Sequence, residues 1–399
     1  MHSSNQSRFP LWLLCLLLFV VLVIFFLIRI PILLSSGDSA DISVPDVPEA
    51  QSVQSQDEQL LDPVDDVAVS ADEALIVEAP VAETVVDIVP EATPDPTPGV
   101  HIHSYVNGVC SECGAKPEFV TGFLPKEFYQ ENEHAGSVTL HEYEVPAYAP
   151  YYDGTVNKSF NIYLPYDYDE TKPYNVLILI HGGGGNQDSW LNEVYDYGDI
   201  QMCGRVIFDN MFDKGICDPC IIVTPVTETN QIQGLTTGIY QMQEELRDYI
   251  LPYIAEHYST YATDGTIESL HAARNHFALG GLSNGALFTF EGGMRYDFDL
   301  FGSYAAFSGN GEPWKTISII NSNEEFADLP VNCFFTGAGT LNDWQQHYTE
   351  IGFDYFVEND SRFTEGVNSW HVDVEGEHEW KVWFTDIYNA LPLMFQQTE

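Results

Sequence analysis

Basic residues are scarce in this chain. Of 399 residues only 14 are Lys or Arg, against 60 Asp or Glu, a formal net charge of −46 at pH 7. A phosphate backbone needs a basic footprint, so nucleic acid is excluded as a partner. Cysteines number seven, an odd count at irregular spacing, which argues against a fully disulfide-stapled protein. Residues 37–99 lack Lys, Arg and aromatic residues altogether, and carry 16 Asp and Glu with eight Pro. Such a stretch cannot bury enough apolar surface to offset its ordering entropy, and like charges hold it extended. It reads as a disordered acidic spacer, or as a linker of no selected length. No internal repeat is visible.

Long apolar runs are missing except at one place. Leu11 to Ile28 is 18 consecutive uncharged residues, longer than the apolar core of a cleaved signal peptide and close to the roughly 20 that span a bilayer. Arg8 precedes it and an acidic flank follows, so the positive-inside rule puts the N-terminus in the cytoplasm and the rest outside. Ser35 to Ala40 makes only a poor cleavage site. The expectation is a signal anchor over residues 1–36, with a membrane-spanning helix; a removed signal peptide is the alternative. Either places the protein outside a bacterial cell, on the outer face of the membrane or secreted.

Residues 100–117 hold a compact set of soft ligands. His101, His103, Cys110 and Cys113 fall within 13 residues, and Gly114 follows the Cys-x-x-Cys pair. Two thiolates and two imidazoles complete a tetrahedral zinc shell, and His101 and His103 share one face of an extended strand. A local disulfide or free thiol pair, or no ordered site, are the other readings. A catalytic metal is not expected, because four protein ligands leave no open position. The stretch resembles short Cys-x-x-Cys-Gly elements that precede catalytic domains in surface proteins of anaerobic bacteria. Cys217 and Cys220, with Cys203 and Cys333, read as a local disulfide or as buried thiols.

Residues 118–399 alternate strand and helix patterns, which predicts an α/β fold with a mainly parallel sheet covered on both faces. Lys158 to Leu164 alternates polar and apolar residues, as an edge strand does. Val176 to Ile180 is continuously apolar and suits a strand buried on both sides. Gly238 to Tyr258 has apolar residues at spacings of three and four, a helix that Pro252 should kink.

The chemistry is carried by Gly281-Leu282-Ser283-Asn284-Gly285, set between a strand pattern and a helix pattern. This is the sequence of a nucleophile elbow. Upstream, His181-Gly182-Gly183-Gly184-Gly185 ends the Val176 strand. A loop of that type offers one oxyanion donor, from Gly182 or Gly183, and the N–H of Asn284 offers the other. His378 follows the last predicted strand. Asp343 follows the penultimate one, with Asp354 or Asp360 next in line for the acid. The order serine, acid, histidine is that of α/β-hydrolases. His181 reads as a structural histidine holding the loop. Trp190 and Trp314 either line the pocket or belong to the core.

With these residues in view, the chain resembles the esterase D-like branch of α/β-hydrolases, and within it the feruloyl and acetylxylan esterases. The matching pieces include Val176 to Trp190, Ile221 to Pro225, Glu245 to Tyr258, Gly280 to Gly285 and Glu377 to Trp380. The resemblance implies a serine esterase with Ser283, His378 and Asp343 as its triad, no catalytic cofactor, and an esterified plant polysaccharide or oligosaccharide as substrate. A siderophore or small-ester esterase or acyltransferase, and a non-catalytic binding protein on the same scaffold, are the rivals. Asn284 departs from the apolar residue common at that position. Leu341 interrupts the Gly-Thr-Asn-Asp-like loop that carries Asp343.

Overall fold

A computed structural model describes residues 101–148, 154–227 and 242–396. The expected membrane segment and acidic spacer lie outside these residues. Among the described residues no helix is long and apolar enough to cross a membrane.

The strands in chain order are β1 (Tyr105–Val106), β2 (Val109–Cys110), β3 (Ser137–Pro146), β4 (Thr155–Leu164), β5 (Val176–Ile180), β6 (Tyr195–Tyr197), β7 (Ile200–Met202), β8 (Ile221–Pro225), β9 (Phe277–Leu282), β10 (Ser303–Phe307), β11 (Cys333–Gly339) and β12 (Ser369–Val374). Eight of them form one sheet in the order β12-β11-β10-β9-β5-β8-β4-β3. The run from β12 to β8 is parallel; β4 runs against β8, and β3 against β4. This is the mainly parallel, helix-covered sheet expected.

Its burial follows the pleat. In β5, Val176, Ile178 and Ile180 enter the core on one face, and Leu177 and Leu179 enter the core on the other. Side chains alternate faces along a strand, so an unbroken apolar run is what a two-sided sheet needs. At roughly 25 cal/mol per Å² of apolar area, each such Leu or Ile contributes on the order of 2 kcal/mol.

One expectation is corrected here. The segment Lys158 to Leu164 is not an edge strand: β4 lies between β8 and β3, and β3 takes the edge. The polar positions that suggested an edge are neutralised inside. Lys158 is buried, with Nζ 3.3 Å from Glu245 Oε2, and the Tyr143 hydroxyl donates to the same carboxylate. Pro252, where a kink is expected, lies within a helical run. Helix runs from Met242 to His257, with a wider π turn over Leu246–Ile250 just ahead of Pro252. A π turn absorbs the donor that proline lacks.

The Lys158–Glu245 pair yields a test. Removing one partner of a buried ion pair strands the other charge, at a cost of roughly 3–5 kcal/mol. Lys158→Met should lower stability in urea unfolding by that amount, and adding Glu245→Gln should restore most of it. Equal losses in the single and double variants would show that the pairing is not the cause.

Candidate active site

The serine turn is built by close approach of two backbones. Ser283 follows β9 with φ 51° and ψ −113°, left-handed territory that a side-chain-bearing residue enters only under constraint. Its N–H donates to Phe307 O at 2.8 Å, and its carbonyl accepts from Leu287 N at 3.1 Å. The helix Asn284–Phe288 starts at once. A Cβ on Gly285 would sit 2.4 Å from Ile180 O, and one on Gly281 would sit 2.6 Å from the Gly285 carbonyl carbon. Both glycines are therefore required by space, which is why Gly-x-Ser-x-Gly appears in the sequence.

The glycine loop after β5 lies against this turn. A Cβ on Gly182 would be 3.3 Å from Ser283 Cβ, and one on Gly183 would be 2.9 Å from Asn284 Nδ2. The candidate oxyanion residues Gly182, Gly183 and Asn284 thus meet around Ser283. The polar side chain of Asn284 packs against the glycine loop. His181 is buried beneath it. The Thr227 N–H donates to His181 Nε2 at 3.1 Å, which fixes the ring proton on Nδ1, and Nδ1 lies 2.7 Å from Gly182 O as donor. The ring ties two loops together and faces away from proton transfer.

On the other side, His378 Nδ1 is 3.1 Å from Asp343 Oδ1. The structure brings Asp343 to the histidine and neither alternative: Asp360 holds Arg362, and Asp354 is exposed on the helix Gln346–Asn359. The extra residue Leu341 does not displace the acid, because its side chain points to solvent and Asn342 turns back at φ 58°.

Asp343 is held by donors on every side. Ser308 Oγ donates to Oδ2 at 2.6 Å, Gly339 N to Oδ2 at 3.2 Å, and Gln345 N to Oδ1 at 2.9 Å. Burial pushes its pKa up, but the bonds from His378, Ser308 and the two N–H groups outweigh burial and hold it below the usual value. The acid is a carboxylate at neutral pH. Ser308 is itself fixed by Trp383 Nε1 at 2.9 Å, and it also sits in the left-handed region, at φ 50°.

Ser283 and His378 line one cavity of about 240 Å³, with Gly182 to Gly185 on its floor and Tyr195, Trp380 and Trp383 among its walls. Tyr195 stacks on Trp380 at 4.3 Å, and Trp344 covers His378 at 4.0 Å. Of the two tryptophans considered from sequence, Trp190 is a core residue whose Nε1 donates to Ile180 O, and Trp314 is exposed on the helix Pro313–Ser322. The aromatic wall comes from residues that sequence reasoning passed over. Trp380 and Trp383 lie two and five residues after His378 on the start of a helix, a spacing that could have flagged them.

The sequence pattern of the family described as "Putative esterase" matches residues 156–394. The chain belongs to this family. It is an esterase D-like α/β-hydrolase resembling feruloyl esterases. The esterase is 30% identical over 257 residues to endo-1,4-beta-xylanase Y of Acetivibrio thermocellus, which covers 60% of this chain and 22% of that protein. It is 29% identical over 157 residues to an endo-1,4-beta-xylanase/feruloyl esterase of Xylanibacter ruminicola, covering 37% of this chain and 19% of the relative. The matches thus span about a fifth of these relatives' length. Among solved structures, a serine-to-alanine mutant of the feruloyl esterase module from Clostridium thermocellum, complexed with sinapinate, superposes with a TM-score of 0.60. That match has 24% identity and covers 71% of this chain and 98% of the module.

One buried acid near Asp343 was not anticipated. Asp386, on the helix Trp380–Ala390, is fully buried with neither carboxylate oxygen hydrogen-bonded. Burial, then the negative charges of Asp373 and Asp343, push its pKa well above the ordinary value. Its contribution to stability is therefore full below the ordinary carboxylate range and declines as pH rises toward the raised folded value. Asp386→Asn cannot ionise. Relative to wild type, the variant should gain stability in chemical unfolding as pH rises above the ordinary carboxylate range. A difference that does not change with pH would show that Asp386 does not titrate this way.

Proposed function

We propose that Ser283, His378 and Asp343 are the catalytic triad, and that the esterase releases feruloyl groups from plant cell-wall xylan. The observation that carries the first part is the His378–Asp343 bond at 3.1 Å opening onto the cavity that Ser283 shares. Asp343 fixes the proton on Nδ1 and leaves Nε2 as the base. His378 accepts the Ser283 proton as Oγ attacks the ester carbonyl. The N–H groups of Gly183 and Asn284, with Gly182 beside them, take the oxyanion. The imidazolium then returns its proton to the departing sugar hydroxyl. Water, activated by the same histidine, hydrolyses the acyl-serine.

The acyl preference rests on the wall of Tyr195, Trp380 and Trp383 next to Ser283. Aromatic rings stack on a hydroxycinnamoyl ring and offer an acetyl group little. The names of two relatives, a xylanase/feruloyl esterase and a feruloyl esterase module holding sinapinate, support the same substrate class. The apolar run Leu11 to Ile28 supports export, with the catalytic domain outside the cell. Protease shaving of intact cells should then remove the domain; its full protection would refute export.

Three outcomes are expected. Ser283→Ala should lower hydrolysis of aryl esters by about four orders of magnitude or more, with the fold retained; near wild-type turnover would refute the triad. Purified enzyme should release ferulate from feruloylated arabinoxylan much faster than acetate from acetylxylan, and the reverse order would refute the acyl assignment. Ser308→Ala removes one of the bonds that hold Asp343 and should reduce kcat about tenfold, the worth of one buried charged hydrogen bond, with little change in KM.

A further inference from the structure

Far from the serine, four soft ligands converge. The ligating atoms of His101, His103, Cys110 and Cys113 all lie within 4.8 Å of one another. His101 Nε2 is 3.4 Å from Cys110 Sγ, and His103 Nδ1 is 3.5 Å from Cys113 Sγ. With Zn–S of about 2.3 Å and Zn–N of about 2.0–2.1 Å, a tetrahedral zinc site places its N and S atoms about 3.5 Å apart. Both measured contacts match that edge. Both cysteines are free thiols in the structure.

The place of this cluster in the fold gives it a task. It belongs to the hairpin β1–β2, whose strands have two residues each, too short to be stable alone. The hairpin nevertheless docks tightly. Tyr105 and Cys110 enter the core on one face of the large sheet. Tyr105 N donates to Gln396 Oε1 at 3.1 Å. Gly108, at φ 75° in the hairpin turn, lies so close to the chain before β12 that a Cβ would fall 2.0 Å from Gly366 O. A cavity of about 470 Å³ between hairpin and domain is lined by His103, Ser104, Asn175, Asp218 and His276, among others. Asn175 immediately precedes β5, His276 precedes β9, and Gly366 lies just ahead of β12. Ser283, Asp343 and His378 instead follow the C-terminal ends of β9, β11 and β12. In a parallel sheet those are opposite edges.

We propose that His101, His103, Cys110 and Cys113 bind one zinc ion, which locks this hairpin onto the edge of the sheet opposite the active site. The ion supplies the folding free energy that so small a hairpin lacks. The hairpin thus lies at the edge of the sheet opposite Ser283. This inference stands apart from the ester chemistry.

The test uses the full-length protein, purified in detergent without added metal. Elemental analysis should find about one zinc per chain, and Cys110→Ser with Cys113→Ser should lose it. Replacement by Co²⁺ should give the intense near-ultraviolet thiolate-to-metal absorption that the double variant lacks. Limited proteolysis near residue 113 should accelerate at least tenfold on chelation, while aryl-ester turnover stays within about twofold of the untreated enzyme. Absence of zinc together with a Cys110–Cys113 disulfide in unreduced peptides would overturn the site. Zinc that can be removed with no change in proteolysis would overturn its role in docking.

Discussion

The site depends on one packing constraint: β9 must turn into its helix within contact distance of the end of β5. That crossing leaves no room for a Cβ at Gly281 or Gly285 and drives Ser283 to a positive φ. The strain, on the order of 1–3 kcal/mol, is held by the surrounding sheet. It lifts the serine side chain clear of the strand and sets the following N–H beside the glycine loop. A looser crossing would separate Ser283 from the glycine loop. β5 and β9 are central neighbours in the sheet, buried on both faces, so the crossing is anchored where the fold is stiffest.

The opposite arm is organised by hydrogen bonds instead of packing alone. Trp383 holds Ser308, Ser308 holds Asp343, and Asp343 orients His378. Every partner in this relay comes from a different strand end or the following helix, so the histidine is aimed by the C-terminal edge of the sheet as a whole. A charged acid can stay buried there only because four donors satisfy it. Asp386, a few residues further along the same helix, has no such donors, and burial pushes its pKa up. Two buried carboxyl groups in one neighbourhood are thus driven in opposite directions by their surroundings.

Much of this was legible in the chain. The continuous apolar run at Val176–Ile180 marked a central strand, because only burial on both faces tolerates it. The glycines around Ser283 marked the turn, because the pattern is a direct record of missing space. The choice among Asp343, Asp354 and Asp360 was open in sequence; the structure brings Asp343 to His378 at 3.1 Å, since Leu341 merely bulges outward. The location of β3 at the sheet edge was not legible, because Lys158 looks polar until Glu245 and Tyr143 are brought to it from elsewhere. Nor was the stacking of Tyr195 on Trp380, since these two lie far apart in sequence and meet only after the sheet has closed the distance.

Sequence by itself determined the local geometry: which segments must be strands, where the chain can turn left-handed, and which four residues near position 100 share soft-ligand chemistry. These are properties of neighbours along the chain, governed by sterics and periodicity. Tertiary structure alone decided which carboxylate meets the histidine, which rings line the cavity, and that the Cys/His hairpin sits at the far edge of the sheet from Ser283. Those outcomes depend on contacts between residues tens to hundreds of positions apart, and no local pattern encodes such distances.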